Sequence, residues 1–501
     1  MSTKERSKSA LSNMPEGIIA LFYIQLFSTL SFSVLYSTLV LYMTGPLALS
    51  IPFANNIMGV FVAFNFALHL LGGYWGGRFF SNRTLFCIGM AAQIIGCLLL
   101  ALVNQEFLYY GLAAFLAGSG LNVTCLNCMI TQRFQPQDTR RETAFLYSYA
   151  SMNVGFFIGY SLSGYFQLSN NYQQLFLLSS IGNLFALIFC LYNWQALADK
   201  ETSYSRLNHS QKRQWSFYGI IMVLALPVLL SQLLHSADLS SKLVLITGLI
   251  ILGAIYWLAT KQPSQNARHK LFAFAVLIVI GTLFWTLYQI GPMGLTHFIN
   301  HNVQRNISGL VIPPQWYQNI NTLCIVAGGP LLGILFHKLR ARGIEVNIPV
   351  QFALALLFIG LAFALLPVGI LFADSYGMVG SGWIILSFVL QSAGELLISP
   401  IGYAMIGALA PANLQGVMMG MWMMATGVGA TLSSYSSNWM TVGRTTLDPV
   451  VTNSGYSQVF LILGLLAIIA GIALLFIAPA LKRWMGQEQG TEAEESALAV
   501  A

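Results

Sequence analysis

The stretch VGSGWIILSFVLQSAGELLISPIGYAMIGA, residues 379–408, carries a single charged side chain, Glu395. About 20 apolar residues suffice for a helix to cross the hydrocarbon core of a bilayer, so this run reads as a membrane-spanning helix. A carboxylate at mid-membrane depth costs at least ~2.5–3.5 kcal/mol. It therefore faces a cavity or a partner, and the segment marks a working part of a membrane protein.

Runs of the same kind fill the chain on both sides: 18–43, 52–79, 84–103, 108–132, 143–166, 173–196, 216–234, 241–260, 271–293, 315–337, 347–372, 412–438 and 457–481. The 501 residues are 56% hydrophobic and only 8% charged, against about 25% charged in a soluble protein. Barrel strands would instead show about 10 residues of alternating polarity. The sequence predicts an all-α polytopic membrane protein of fourteen transmembrane helices, with both termini on one side.

The net charge of +7 reports topology. With the N-terminus inside, the inner segments hold 20 of the 23 Lys and Arg, and the outer segments hold only Lys242, Arg305 and Arg444. That asymmetry is the positive-inside pattern of a multi-pass protein of a bacterial inner membrane, its partner a lipid bilayer and not nucleic acid. The polar start MSTKERSKSALSNMPEG leads into a span too long for a signal-peptide core, so no cleavable leader is expected. Cys87, Cys97, Cys125, Cys128, Cys190 and Cys324 all fall in apolar spans and read as reduced packing residues.

Hydropathy divides the chain into six spans, a two-span hairpin and six more. The boundaries drawn from it are a cytoplasmic N-terminus 1–17, a six-helix bundle 18–196, a cytoplasmic linker with the hairpin 197–270, a second bundle 271–483 and a disordered cytoplasmic tail 484–501. Transporters built from paired halves bind substrate near the midplane. No loop is long enough for a soluble catalytic domain, and no nucleophile–base set, phosphate loop or nucleotide motif is present, so neither an enzyme nor a cofactor is expected. Pro330 and Pro400 are hinge candidates, because an interior proline removes a helix hydrogen bond.

Glu395 is the one acid placed mid-span, and no Lys or Arg lies at comparable depth. Either desolvation keeps it protonated, or its partner is water or a cationic substrate. His69 is the other deep ionisable group; it can relay protons, although a neutral, hydrogen-bonded imidazole is the commoner state. His297 and His301 stand i, i+4 in a predicted outer loop without Cys or carboxylate neighbours, so no metal is expected there. With uncharged polar residues of the spans, Trp285 and Tyr288 can line a cavity around Glu395.

Four stretches resemble the proton-coupled oligopeptide transporter (POT/PTR) family of the major facilitator superfamily. QSAGELLISPIGYAMIGALAP (391–411) is similar to its tenth core helix, FWTLYQIGPMGLTHFI (284–299) to its seventh and PPQWYQNINTLCIVAGGPLLG (313–333) to its eighth. RFQPQDTRRETAFLYSYASMNVGFFIG (133–159) resembles the family signature across a cytoplasmic loop and the fifth helix. The resemblance implies the major facilitator fold with an inserted two-helix hairpin. It also implies a cavity for di- and tripeptides, whose N-terminal amine would be held by Asn153, Asn321 and Glu395. Tyr149 and Trp285 fall at family cavity positions, and Ser399 follows Glu395 by one turn on the same face.

The departures are equally specific. Where the family's first helix carries E-x-x-E-R-F-x-Y-Y, this chain reads QLFSTLSFS, placing Gln25 and Ser28 at the acids and Thr29 at the arginine. Val123 replaces the fourth-helix lysine, Gln289 the seventh-helix acid and Gly77 the loop aspartate, while Arg78 remains. Losing acids and bases together avoids unpaired buried charge. The expected function is an atypical secondary transporter, a monomer working by alternating access on a small molecule with a cationic amine. Proton coupling would run through Glu395 and His69. Export of a siderophore, drug or polyamine-like metabolite, and a sensor without transport, are the alternatives.

Overall fold

The computed structural model describes residues 14–135, 137–138, 140–343, 346–411, 414–441 and 446–486, with the backbone alone at Tyr403. The N-terminal cations Lys4, Arg6 and Lys8, the outer Arg444 and the tail from residue 487 lie outside the described residues.

The chain packs as two compact units, one running to Leu49 and resuming over Phe64–Ala237, the other holding Ser50–Ala63 and the chain from Asp238 on. The first unit contains α1 (Ile18–Thr44), the latter part of α2 (Ile51–Trp75), α3 (Asn82–Leu100), α4 (Gln105–Thr131), α5 (Arg140–Leu168), α6 (Tyr172–Tyr192) and α7 (His209–His235). Several helices start on a side-chain cap: Ser81 accepts from Thr84 N, Asn104 from Glu106 N, and Asn208 forms a reciprocal capping box with Gln211. Tyr42 anchors this core. Its hydroxyl donates to Leu100 O at 2.9 Å, and its ring packs on Tyr172 and Phe176 at 5.5 and 4.9 Å.

The second unit contains the start of α2, then α8 (Ala237–Thr260), α9 (Gln265–Tyr288), a π turn at Gly291–Leu295, α10 (Thr296–Asn302), α11 (Pro314–Arg340), α12 (Ile348–Leu371), α13 (Ser381–Leu409), α14 (Gln415–Trp439) and α15 (Pro449–Trp484). Short strands β1 (Val303–Gln304), β2 (Asn306–Ile307), β3 (Leu310–Val311) and β4 (Val379–Gly380) lie between helices. β2 and β3 form an antiparallel hairpin, and β1 runs parallel to β4 with Val303 opposite Val379. The core is aromatic: Phe298 contacts Tyr456 and Phe460, and Phe363 contacts Phe460 at 5.7 Å. Gly360 of α12 and Gly464 of α15 bring backbones together, since a Cβ on either would stand 2.9 Å or less from a backbone atom of the other helix.

Two sequence expectations are corrected. The span read as 52–79 ends at Trp75, because Gly77 turns the chain with φ +73°. The span read as 271–293 runs on to Asn302, so His297 and His301 are helical rather than in an outer loop. Pro292 has no N–H for the ladder, and the backbone widens to a π turn in which Met293 leaves helical geometry (φ −116°, ψ −106°). The polar run THFINHN that follows mimicked a loop, yet His297 is only 1% exposed.

Among the described residues, twelve helical stretches are long and apolar enough to cross a membrane by length and composition; α5 and α14 fall outside that set. Their polarity is directed inward: Ser433, Ser434, Ser436 and Ser437 of α14, and Ser148, Asn153 and Ser163 of α5, are all buried. Leu249 and Ile250 of α8 and Phe476 of α15 are exposed apolar side chains, as bilayer contact requires.

Candidate functional site

Glu395 sits in the middle of α13 and is held by neutral donors. Asn321 of α11 donates its amide nitrogen to Glu395 Oε2 at 2.8 Å and to Ser392 Oγ at 3.1 Å. Ser392 in turn donates to Phe388 O at 2.7 Å, so its oxygen accepts from the amide and fixes its orientation. The Tyr288 hydroxyl, at the end of α9, also hydrogen-bonds Glu395. Among the described residues the ion pairs are Arg140–Asp138 and Lys242–Asp238, and Glu395 belongs to neither.

Trp285 stands one turn before Tyr288, edge to face with it at 5.3 Å, and its indole N–H is buried without an acceptor. A buried donor left unpaired costs about 1–3 kcal/mol. The group therefore offers an anchored carboxylate, an amide whose nitrogen is engaged and whose oxygen is left to accept, and a free N–H. Ser399 does not join these hydrogen bonds among the described residues. Gln289 is 3% exposed in the turn after α9.

In the first unit, Asn153 of α5 is buried and donates its amide to Tyr149 O, one turn back, at 2.9 Å; Tyr149 itself is exposed. The substituted first-helix positions form a neutral chain. Gln25 Nε2 donates to Thr29 Oγ1 at 2.8 Å, Ser28 Oγ to Gln25 O at 3.1 Å, and Ser148 Oγ to Gln25 Oε1 at 3.5 Å. Thr29 packs against Gly155 of α5, where an added Cβ would lie 3.0 Å from Thr29 Cβ. Val123 is an exposed apolar residue of α4. His69 is buried in α2 beside Phe66, and its Nε2 has no partner.

The POT family profile matches residues 34–459. The chain belongs to the POT family. Over 492 residues it is 27% identical to dipeptide and tripeptide permease A of Salmonella typhi, covering 97% of this chain and 96% of the relative. A crystal structure of a peptide transporter POT in complex with sulfate aligns with TM-score 0.83 at 24% identity, covering 95% of this chain and 98% of that one. A POT family transporter in complex with 5-aminolevulinic acid aligns with TM-score 0.79 at 23% identity, covering 94% and 100%. These likenesses establish the major facilitator fold of a multi-pass bacterial inner-membrane protein, and the relatives are permeases rather than enzymes.

Two features of this POT family chain escaped the sequence reading. Ser392 completes the Glu395 group that the sequence expects Tyr288 to line; it lies one helical turn before Glu395, a spacing that puts both on one face. Asp199, counted only as a loop acid, binds the start of α3, accepting from Asn82 N at 2.9 Å and Asn82 Nδ2 at 3.2 Å. It supplies a carboxylate beside the α2–α3 turn, where Gly77 stands in place of an acid. Arg133 donates to Ala196 O and Ala198 O, fastening the same 193–208 loop to the end of α4. Pro330 and Pro400 lie inside α11 and α13, whereas the backbone break falls at Met293.

Proposed function

We propose that this chain carries peptides or peptide-like small molecules with a cationic amine across the membrane by alternating access. In this reading Glu395 and Asn321 are the amine ligands. One observation carries it: a mid-helix carboxylate anchored by two neutral donors and by no cation, next to an amide whose nitrogen is engaged. An ammonium needs acceptors, and Glu395 together with the Asn321 oxygen supplies them. The unpartnered Trp285 N–H suits a peptide carbonyl. Asn153, Tyr149 and Ser399 stay in the reading through the family resemblance alone.

The carboxylate end of a peptide meets neutral groups, because Gln25, Ser28, Thr29 and Val123 carry no charge. That favours amidated, modified or otherwise peptide-like compounds. The family member crystallised with 5-aminolevulinic acid holds an amine that is not a peptide, which supports a broad amine-bearing class. Glu395, with His69 as a second titratable group, takes up the proton when the amine leaves. Within the fold we assign the two bundles to 18–196 and 271–483, with Pro330 and Pro400 as hinges. We further propose a monomer with both termini cytoplasmic, from the positive-inside asymmetry.

A thermal-shift comparison of a dipeptide, its N-acetylated form and simple amines tests the site, on wild type and on Glu395→Gln. The free-amine dipeptide should stabilise the wild type by mass action and leave the variant unmoved. Equal stabilisation by the N-acetylated form overturns the amine assignment. Uptake into proteoliposomes that ignores both a pH gradient and the membrane potential overturns coupling.

A further inference from the structure

Cys87 lies in the second turn of α3 and Cys190 in the last turn of α6, 103 residues apart in sequence. The Cys87 thiol donates to Cys190 Sγ with the sulfurs 3.5 Å apart. The other cysteines have different surroundings. Cys97 donates to Ser179 Oγ, Cys125 and Cys128 share one face of α4, and Cys324 sits beside Ser392. A disulfide has its sulfurs about 2.05 Å apart, so closing this pair asks for about 1.5 Å of approach.

The pair has an attacking and a resolving member. Cys87 is partly exposed and Cys190 is fully buried. One turn before Cys87 on the same helix face stands Arg83. Its guanidinium lies 4.2 Å over the Trp194 ring, just past α6, and donates to Trp194 O. Its Nε is buried without a partner, and Arg83 is in neither ion pair of the described residues. Cys87 is thus the thiol that an oxidant reaches first, with the Arg83 cation one turn away.

We propose that Cys87 and Cys190 are a redox modification site that closes to a reversible disulfide between α3 and α6 when a hydroperoxide reaches it. The Cys87 thiolate attacks the peroxide oxygen, the O–O bond breaks, and Cys87 sulfenic acid forms as hydroxide leaves and takes a proton. Cys190 sulfur then attacks the Cys87 sulfur, the S–O bond breaks and water leaves. In sum, two thiols and one hydrogen peroxide give one disulfide and two waters; a dithiol reductant reverses it. The bond would staple the end of the first unit already strapped by the 193–208 loop.

The test uses the purified full-length chain in lipid nanodiscs, treated with hydrogen peroxide and counted for free thiols by maleimide mass tagging, with no substrate present. Wild type should go from six free thiols to four, and dithiothreitol should restore six. Cys87→Ser should keep all five remaining thiols, and Cys190→Ser should lose at most one, Cys87 itself, with no disulfide formed. Peptide mass spectrometry of oxidised wild type should find the segments containing Cys87 and Cys190 joined, which does not depend on the variants folding. Six thiols remaining in wild type, or a pair of thiols lost in either variant, overturns the proposal.

Discussion

Asn321 of α11 and Glu395 of α13 share a hydrogen bond of 2.8 Å in which the amide donates and the carboxylate accepts. The bond fixes which end of the amide is left for a ligand. Asn321→Ala removes both an acceptor for the amine and a donor to Glu395. Hydrogen bonds to charged groups contribute about 1.5–3 kcal/mol, so ligand affinity should fall roughly 10- to 100-fold. Ser392→Ala, which only frees the amide to turn, should lose less, and the double variant should lose less than the sum. Calorimetric titration of the best ligand from the thermal screen checks this; no loss with Ser392→Ala, or fully additive losses in the double variant, would remove Ser392 from the positioning role.

The Gln25–Thr29 contact predicts how the neutral first helix responds to charge. Thr29→Arg places a cation in a buried position, 7% exposed, with no acid beside it. The single variant should melt well below wild type in detergent. Adding Gln25→Glu, whose side chain already reaches residue 29 at 2.8 Å, should recover at least half of the loss. No recovery would show that the α1–α5 packing around Gly155, rather than charge balance, sets the cost.

Asp199 gives a pH dependence with a defined sign. Burial pushes its carboxyl above the ordinary aspartate range, partly offset by hydrogen bonds from Asn82, the Arg83 charge and a hydrogen bond from Thr202. Between the ordinary range and the raised value the folded chain holds more protons than the unfolded one, so this group's contribution to stability falls as pH rises. Asp199→Asn keeps an acceptor for Asn82 N and cannot ionise. Its melting temperature relative to wild type should therefore climb as pH increases from 4 to 7. A flat difference across that range refutes the assignment.

The glycine contact between α12 and α15 predicts a local stability effect. Gly464→Val drives side-chain carbons into the Gly360 and Ala364 backbone. Overpacking of this kind costs about 1–3 kcal/mol, so thermal stability should drop while ligand affinity, measured below the transition, stays near wild type.

The fold was legible because long apolar runs leave few alternatives, and Glu395 was legible because a charge in such a run is costly. What escaped were relationships that periodicity does not carry. THFINHN read as a loop because its polar residues resemble one, although a π turn after Pro292 keeps it helical and buried. The sequence offers Tyr288 as a cavity residue around Glu395, but its hydrogen bond to a carboxylate more than a hundred residues away is a contact that no single-sequence pattern encodes. Asp199 looked like one more loop acid until the chain returned it to Asn82. Neutral chemistry hid as well: Gln25, Ser28 and Thr29 announced the loss of charges, while the bond from Ser148 that ties their hydrogen-bond chain to α5 appears only when the two helices are side by side.

Tyr288 is the last residue of α9, five positions before the off-helix backbone of Met293. The phenol that steadies Glu395 thus sits at the edge of the stretch where the backbone leaves regular helical geometry. A guest that takes the phenol's place on Glu395 would remove this hydrogen bond between α9 and α13 beside that turn. One hydroxyl therefore belongs both to the carboxylate's shell and to the end of the helix that the Pro292 turn interrupts.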